Sequence, residues 1–302
     1  MKITLVYNPT AGDGVEADEL AALVEDAGHK VRVVSRKEDW RPVVAKPTDL
    51  VVAAGGDGTI RRVAVELAGS DTPVAILPMG TANNVGKTLA LLGDARPVIA
   101  SWDGKRPEPF DLGTVHAPWG EESFIEAVGG GAIAALIGSP DDPAASTVLL
   151  GRETDRILHH QGELLVNEPP RPWSVSVDGV AHDGDYVVVE VMNIRFIGPN
   201  LPLAPDADPH DGLFEVVLVG ADERPILERY LGDRLSMAAA ELPRLPVVTG
   251  RNVTLQAPAG VRMHLDDAPW PEEALREPSR LSISVRAGAL QVLPGEGNGS
   301  TG

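Results

Sequence analysis

The run Gly55-Gly56-Asp57-Gly58-Thr59 combines residue types and spacing that point directly to chemistry. Its glycines let the backbone turn sharply and approach a ligand closely, because no Cβ is in the way. A glycine turn that leads into a helix presents backbone N–H groups and the positive end of the helix dipole, which is the geometry that binds phosphate. Asp57 repels phosphate, so it needs a cation, a hydroxyl or a water between them. The motif predicts a phosphate site beside a metal or an acid–base group; a tight turn with a solvated aspartate is the alternative.

Two acidic segments further along the chain could bind a metal or accept a proton. Asp208 and Asp211 lie three residues apart in a loop that contains proline, and hard carboxylate oxygens of this kind suit Mg²⁺. The loop lacks the ligand spacing of an EF-hand, and an ordinary Asp-Gly hairpin turn is the alternative. The segment His264-Leu265-Asp266-Asp267-Ala268 ends a predicted strand with two adjacent carboxylates, which point to opposite faces on a strand. Asp266 is therefore the better candidate for a base, and solvated turn aspartates are the alternative.

The elements that must position these residues follow from the hydrophobic pattern before Pro107. Short apolar strands alternate there with helices that have one apolar face. Strands are predicted at 2–7, 30–35, 50–54 and 74–77, and helices at 16–27, 59–68 and 81–93. This βαβαβ pattern predicts a doubly wound, Rossmann-like and mostly parallel sheet, whose ligands bind beyond the carboxyl ends of the strands. Three glycine-containing loops, 8–12, 55–59 and 78–84, lie at those ends.

After Pro107 the pattern changes to short strands separated by turns, which predicts an antiparallel β-sandwich. Strands are predicted at 111–115, 122–128, 173–177, 186–193, 213–219, 252–256, 261–265 and 281–286, with helical insertions at 152–160 and 225–240. The domain boundaries follow: residues 1–108 form the α/β domain and residues 109–288 the β-sandwich. Residues 289–302 form a tail that either returns to the first domain or is flexible.

The composition limits the class of protein. A chain of 302 residues suggests about two domains, and the absence of cysteine excludes disulfides and thiolate metal sites. The net charge of −18 argues against a nucleic-acid partner and against broad electrostatic attraction to anionic lipid. No apolar run approaches the roughly 18 residues that span a bilayer, and the first strand is too short for a signal peptide. We therefore expect a cytoplasmic enzyme without a transmembrane segment, whose contact with a membrane is local and largely apolar.

Taken together, the motifs resemble the diacylglycerol kinase catalytic-domain family, which includes bacterial lipid kinases, sphingosine kinases and ceramide kinases. The family's motifs occur here in the same order and over most of the chain. They are Asn8-Pro9 with Gly12, the runs 55–59 and 78–84, Phe110-Asp111-Leu112-Gly113, Met192-Asn193, Gly198, and the stretch 203–213.

The resemblance implies ATP-dependent phosphorylation of a lipid hydroxyl, on diacylglycerol or a related lipid, in the cleft between the two domains. It implies a nucleotide-binding site made of Asn8, Gly12, Gly55, Gly56, Asp57, Gly58, Thr59, Gly80, Thr81 and Asn83. It assigns Mg²⁺ to Asp208 and Asp211, and it joins Asp111 and Asp57 to the ion through water. It makes Asp266 the general base. It also implies peripheral association with the membrane that holds the lipid substrate, and it allows a homodimer.

Two positions depart from the family pattern. Many members have Asp-Gly-Glu where this chain has Asp266-Asp267-Ala268, and many have aspartate in place of Asn84. Ala268 can neither orient a base nor bind an ion, although Glu272 could substitute for the missing acid. A catalytically weak nucleotide- or lipid-binding regulator is therefore one alternative. An NAD-kinase-like enzyme is another, because that family shares the Gly-Gly-Asp-Gly-Thr turn. Residues 128–137 would either line a groove for an acyl chain or form a buried strand-to-helix connection.

Overall fold

The computed structural model describes residues 1–10, 16–137, 168–198, 200–235 and 241–295. Gly12, the predicted helix at 152–160, the end of the helix predicted at 225–240 and residues 296–302 of the tail lie outside the described residues. The chain divides into two compact units. The first consists of Met1–Leu112 together with Ala287–Gly302, and the second of Gly113–Arg286.

The first unit is built on a parallel sheet. Its strands are β1 (Lys2–Tyr7), β2 (Lys30–Ser35), β3 (Leu50–Gly55) and β4 (Val74–Pro78), in the order β2-β1-β3-β4. Val292, near the end of the chain, pairs with Val74 in parallel beside β4. Every residue of β3 is buried, as expected for a central strand that is covered on both faces and therefore apolar throughout. The prediction of an α/β unit with a parallel sheet is confirmed.

Among the described residues, five helices accompany this sheet, and one of them is much shorter than predicted. They are α1 (Ala17–Asp26), α2 (Arg41–Val44), α3 (Asp57–Leu67), α4 (Asn84–Thr88) and α5 (Ala95–Ala100). The predicted helix at 81–93 is reduced to α4 because the residues on either side of it leave the helical region. Asn83 has φ 51° and Ala90 has φ 54°, both in the left-handed region that a right-handed helix cannot include. The short helices α2 and α5 were not predicted.

The second unit is antiparallel. Its strands are β5 (Glu108–Ala117), β6 (Gly120–Phe124), β7 (Ala127–Gly131), β8 (Arg171–Val177), β9 (Val180–Ala181), β10 (Gly184–Met192), β11 (Phe214–Gly220), β12 (Val247–Gly250), β13 (Asn252–Ala257), β14 (Met263–Leu265), β15 (Ala268–Pro269) and β16 (Ser279–Val292); β5 and β16 each continue into the first unit. One run of paired strands is β15-β14-β7-β10-β11-β12, and the other joins β8, β13, β16, β5 and β6. Apolar side chains of both runs, among them Phe124, Trp173 and Phe214, form one core. The predicted antiparallel architecture is confirmed.

One predicted strand of this unit is two strands in the structure. Residues 122–128 divide into β6 and β7, because the chain leaves the ladder at Ile125 and Glu126. The connection from β7 into α6 (Ala132–Ile137) is buried, with Val128 and Ile133 in two separate apolar cores. Of the two alternatives for residues 128–137, the burial of these two side chains fits a buried strand-to-helix connection and not an open groove for an acyl chain.

A second helix in the described part of this unit is α7 (Arg224–Leu235). It begins one residue before the predicted insertion at 225–240, and its buried residues Leu227, Tyr230 and Leu231 pack in the second core. In the described ranges, no helix has the length and apolar character needed to cross a membrane.

Candidate active site

The loops that follow β3 and β4 touch one another through two glycines. A Cβ on Gly80 would lie 2.5 Å from the Cα of Gly56, and a Cβ on Gly56 would lie 3.2 Å from the Cα of Gly80. A Cβ on Gly55 would lie 2.7 Å from Oγ1 of Thr59. A side chain at Gly80 would therefore force the backbone of the two loops apart, and one at Gly55 would displace Thr59.

Asp57 is the first residue of α3, and its carboxylate connects this helix to α4. Oδ2 accepts the N–H of Asn84 and Oδ1 accepts the N–H of Val85, both at 3.1 Å. The first N–H groups of a helix have no partner within it, so this carboxylate satisfies two of them. The motif predicts a mediating group beside Asp57, but nothing in the local pattern indicates that two of its hydrogen-bond partners lie 27 and 28 residues away.

Two asparagine side chains hold the shape of the neighbouring loops. Asn83 accepts the N–H of Gly80 through Oδ1 and donates from Nδ2 to the Gly80 carbonyl, both at 2.7 Å. Asn8 Oδ1 accepts the N–H of Thr10 at 3.3 Å and its hydroxyl at 3.1 Å. The N–H of Asn8 donates to the carbonyl of Ala54 at 3.0 Å, which ties the loop after β1 to the end of β3.

Most of the residues predicted to bind nucleotide therefore lie in the loops after β1 and β4 and at the junction of β3 with the first turn of α3. Thr81 is exposed at the tip of its loop, whereas Thr59 is buried. The members within the described residues are Asn8, Gly55, Gly56, Asp57, Gly58, Thr59, Gly80, Thr81 and Asn83. Parallel strands end at the same edge of a sheet, so these loops share that edge.

Asp111, which the sequence placed at the start of the second domain, lies in the part of β5 that belongs to the first unit, and it is buried. Its Oδ1 accepts the N–H of Gly288 at 2.6 Å, and Gly288 has φ 59°, a conformation that favours glycine. The contact holds the returning chain 177 residues further on. The water-mediated metal role of Asp111 stays a prediction.

In the second unit, Asp208 and Asp211 lie in the loop before β11 and are exposed. Asp208 Oδ1 accepts the N–H of His210 at 3.1 Å, and Asp211 Oδ1 accepts the N–H of Leu213 at 2.8 Å. These turn contacts each involve one of the two carboxylate oxygens. Among the described residues, no three acidic or histidine side chains are arranged to hold a metal by themselves. An ion here would bind one or two carboxylates and complete its shell with water, as Mg²⁺ usually does.

Glu215 is an acid of this neighbourhood that the sequence analysis missed. It lies on β11, its side chain is only 7 % exposed, and Oε2 is buried with no hydrogen-bond partner. Burial, reinforced chiefly by the negative charge of Asp211 and then by Asp208 and Asp206, raises the pKa of Glu215 to about 7. Strand periodicity alone did not show that this side chain faces the acidic loop.

The raised pKa of Glu215 predicts a loss of stability between about pH 4.5 and 7 that Glu215→Gln removes. In that window the folded protein binds more protons than the unfolded chain, so the free energy of unfolding falls as the pH rises. The melting temperature, measured across this range with EDTA, should decrease more steeply for the wild type than for Glu215→Gln. Glu273→Gln, at an exposed acid, should keep the wild-type slope. Equal slopes for wild type and Glu215→Gln would contradict the raised pKa.

Asp266 lies in the two-residue turn between β14 and β15 and is only 2 % exposed. Its Oδ1 accepts the N–H of Glu126 at 2.8 Å and that of Ala127 at 3.1 Å, while the N–H of Ile125 lies 3.2 to 3.3 Å from the two oxygens. The break between β6 and β7 supplies these donors. These backbone donors fix the orientation of the carboxylate. Asp267 is exposed, so only one of the two adjacent carboxylates is buried.

Ala268 stands at the position where the family pattern has a glutamate, and the sequence analysis named Glu272 as an acid that could substitute for it. In the described part of the chain, no hydrogen bond or ion pair joins Glu272 to the turn at Asp266. Ala268 pairs with Leu265 at the start of β15, and both Ala268 and Glu272 are exposed. A different acid, Glu126, is in contact with this turn: it is 2 % exposed and donates its N–H to the Asp266 carboxylate. The sequence analysis missed Glu126 because it placed the residue inside a continuous strand.

Comparison with known protein families identifies both domains of the chain. The model of the diacylglycerol kinase catalytic domain matches residues 2–115, and that of the YegS C-terminal NAD kinase beta sandwich-like domain matches residues 163–294. The chain therefore carries a diacylglycerol kinase catalytic domain followed by a YegS C-terminal NAD kinase beta sandwich-like domain. The resemblance found in the motifs is thereby confirmed, together with the combination of an α/β and a β-sandwich-like domain.

Relatives named as diacylglycerol kinases or lipid kinases align over nearly the whole chain. A diacylglycerol kinase of Mycobacterium tuberculosis is 26 % identical over 300 residues, which cover 93 % of this chain and 94 % of the relative. A Pseudomonas aeruginosa protein named "Probable lipid kinase YegS-like" is 27 % identical over 309 residues, covering 96 % and 93 %. The crystal structure of a diacylglycerol kinase from Bacillus anthracis str. Sterne has the same fold, with a TM-score of 0.69, 20 % identity and coverage of 98 % and 97 %.

Proposed function

We propose that the protein is an ATP-dependent, Mg²⁺-requiring lipid kinase that transfers the γ-phosphate to a hydroxyl of diacylglycerol or a related lipid. The observation that carries this proposal is the joining of two glycine loops through Gly56 and Gly80, with Asp57 holding the second loop. The strand order β2-β1-β3-β4 also supports a doubly wound sheet. Such sheets bind ligands where the strand order reverses, here between β1 and β3.

In the first unit, the bare backbone of the two loops and the N-terminal turn of α3 would hold the phosphates. The loops suit this role because a Cβ at Gly56 or Gly80 would fill the space where they approach one another. Asn83 and Asn8 would keep the loops in shape through the bonds described above. Bound ATP supplies the phosphoryl group, and Mg²⁺ offsets its negative charge; the residues of the protein then contribute mainly by positioning.

In the second unit, Asp208 and Asp211 would bind Mg²⁺ beside the buried side chain of Glu215. Asp266 would accept the proton of the lipid hydroxyl. The N–H groups of Ile125, Glu126 and Ala127 would hold its carboxylate in one orientation for this step. We further propose that the enzyme meets its lipid at a membrane surface as a peripheral protein.

A second candidate function is a nucleotide- or lipid-binding regulator with weak catalysis. Ala268 and Asn84 stand where many relatives carry acids, and the Asp266 carboxylate is already engaged by backbone donors. A protein with these features could bind ATP and transfer its phosphate slowly.

An assay with radiolabelled ATP separates these functions. The purified protein is incubated with Mg²⁺ and with diacylglycerol in mixed micelles, a sphingosine-like amine or NAD, and nucleotide binding is measured in parallel by calorimetry. We expect label on diacylglycerol or a related lipid. ATP binding without transfer to any acceptor would favour the regulator, and label on NAD alone would favour an NAD-kinase-like enzyme.

Asp211→Asn is expected to raise the Mg²⁺ concentration required for half-maximal activity by about tenfold or more. The substitution removes the negative charge but keeps an oxygen that can accept the N–H of Leu213, so the turn should persist. Titration of activity with MgCl₂ measures the effect, with Asp222→Asn, at an exposed acid of another turn, as the control. An unchanged Mg²⁺ requirement would remove Asp211 as a ligand.

A further inference from the structure

A buried pair of ionisable side chains crosses the middle of the second unit's sheet. Glu190 on β10 and His264 on β14 both lie directly opposite Gly129 of β7, which runs between them. Both side chains are 0 % exposed, and Glu190 Oε2 lies 2.8 Å from His264 Nε2. Adjacent strands are about 4.8 Å apart, so these two residues are separated by about 10 Å of sheet and can meet only over the residue between them.

Gly129 makes this contact possible. A Cβ at this position would collide with the Glu190 carboxylate, so the side chain reaches His264 only because residue 129 is glycine. Glu190, Gly129 and His264 are thus paired side by side on three neighbouring strands. Gly130, the next residue, faces the other side, where a Cβ would meet the sulfur of Met263 at 2.6 Å.

The hydrogen-bond partners determine where the protons of the pair lie. His264 Nδ1 is 3.0 Å from the carbonyl oxygen of Asp266, which can only accept, so Nδ1 must carry a hydrogen. A second proton lies between Nε2 and the Glu190 carboxylate, and the pair is neutral whichever atom holds it. Burial raises the pKa of Glu190. Burial by itself lowers the pKa of His264, but Glu190 and the Asp266 carbonyl bring it above its usual value, so the pair keeps both protons.

Stability alone is a weak reason for such a pair. A buried ion pair is often no more stabilising than apolar residues of the same volume, because both charges lose their hydration. In addition, Glu190 Oε1 is buried and has no hydrogen-bond partner, which adds a further cost. The pair makes one further hydrogen bond, from His264 Nδ1 to the backbone carbonyl of Asp266, and this bond indicates a role other than stability.

The backbone of Asp266 is held in place by hydrogen bonds from both sides. Asp266 is the first residue of the tight turn and has φ 50°, in the left-handed region, which is uncommon for residues other than glycine although aspartate adopts it more readily than most. Its N–H donates to the carbonyl of Ala127 at 2.8 Å, and its carbonyl accepts from His264. Both backbone groups of Asp266 are thus fixed, and its carboxylate is directed at the N–H groups of residues 125–127.

We propose that Glu190 and His264 are positioning residues for Asp266. The pair, bridged over Gly129, holds the carbonyl of Asp266 and thereby keeps its carboxylate in one orientation. The inference rests on the proposed function only in that Asp266 takes part in phosphoryl transfer.

Two variants of matched volume test this role. In Glu190→Leu/His264→Phe the pair becomes apolar, so no unpaired charge is left in the core and the fold should persist. We expect kcat to fall about 10²-fold with little change in the KM for ATP, as for a small misplacement of a reacting group. Glu190→Gln should retain most of kcat, because its amide can donate to Nε2 while Nδ1–H still holds Asp266.

A second readout does not depend on catalysis. Amide hydrogen exchange at Ile125, Glu126 and Ala127 reports whether the Asp266 carboxylate is still in place. Exchange should accelerate about tenfold in the double variant and stay at the wild-type rate in Glu190→Gln. A folded double variant with wild-type kcat and wild-type exchange would overturn the proposal.

The wild-type protein provides a measurement that needs no variant. The ¹⁵N spectrum of the His264 ring should show a protonated Nδ1 from pH 6 to pH 9, and an unprotonated Nδ1 at pH 8 would overturn the proposal even if the double variant failed to fold. If the wild type transfers no phosphate, the proposed function fails, whereas the exchange rates and the ring spectrum still decide the role of the pair.

Discussion

Asp266→Asn is expected to lower kcat for lipid phosphorylation by about 10²- to 10⁴-fold and to leave ATP affinity unchanged. The carboxylate is the group that would accept the hydroxyl proton, and an amide cannot accept it at neutral pH. Asparagine suits the position otherwise. It tolerates the left-handed backbone at φ 50°, and its Oδ1 can still accept the N–H groups of Glu126 and Ala127. The variant should therefore fold, and the loss should be confined to the transfer step.

Single-turnover rates at saturating ATP measure this effect, with calorimetry for nucleotide binding. The matched control is Asp267→Asn, because Asp267 is the exposed neighbour in the same turn and makes no contribution to the proposed site. It should behave as the wild type. If Asp266→Asn turned over at the wild-type rate, Asp266 would be excluded as the base.

Gly80→Ala is expected to weaken the use of ATP by about 10²-fold in kcat/KM. The added methyl group would lie 2.5 Å from the Cα of Gly56 and 3.1 Å from Oδ1 of Asn83. The nearer contact is with backbone, so rotation of a side chain cannot relieve it and the two loops must move apart. The N–H groups that would hold the phosphates then lose their relative positions.

The control for this variant is Gly232→Ala in α7, where a Cβ would meet nothing within 4 Å. Alanine is also the better helix former, so this variant should be as stable as the wild type or slightly more stable. ATP binding by calorimetry and melting temperature are measured for both. Wild-type ATP binding in Gly80→Ala would show that contact between the loops is not needed for the nucleotide.

Much of the fold could be predicted because the deciding signals are local. The apolar run of β3 followed by glycines and a helix identifies a strand, a turn and a helix within about 20 residues of sequence. The same holds for the antiparallel strands β8, β10, β11 and β13, which were predicted to within a few residues. The predicted bounds of one helix and one strand were wrong where the chain makes contacts with distant residues, Asp57 at the start of α4 and Asp266 at the break between β6 and β7. The helix expected at 81–93 was limited by left-handed residues at 83 and 90, and the strand at 122–128 was divided.

The candidate site shows the same division. From the sequence alone came the acids and glycines, their order along the chain and the family they resemble. The partners of these residues came only from the tertiary structure: Asn84 and Val85 for Asp57, Gly288 for Asp111, and the strand break at Ile125 for Asp266.

By itself, the sequence determined that an aspartate stands in a glycine turn between a buried strand and a helix. Only the tertiary structure decided that its carboxylate binds the start of α4, and that Glu190 and His264 meet over Gly129. The physical reason is that side-chain periodicity records which face of an element is buried. Which residues then meet depends on how strands distant in the chain are aligned, and for β7, β10 and β14 that alignment follows from the packing of the whole sheet.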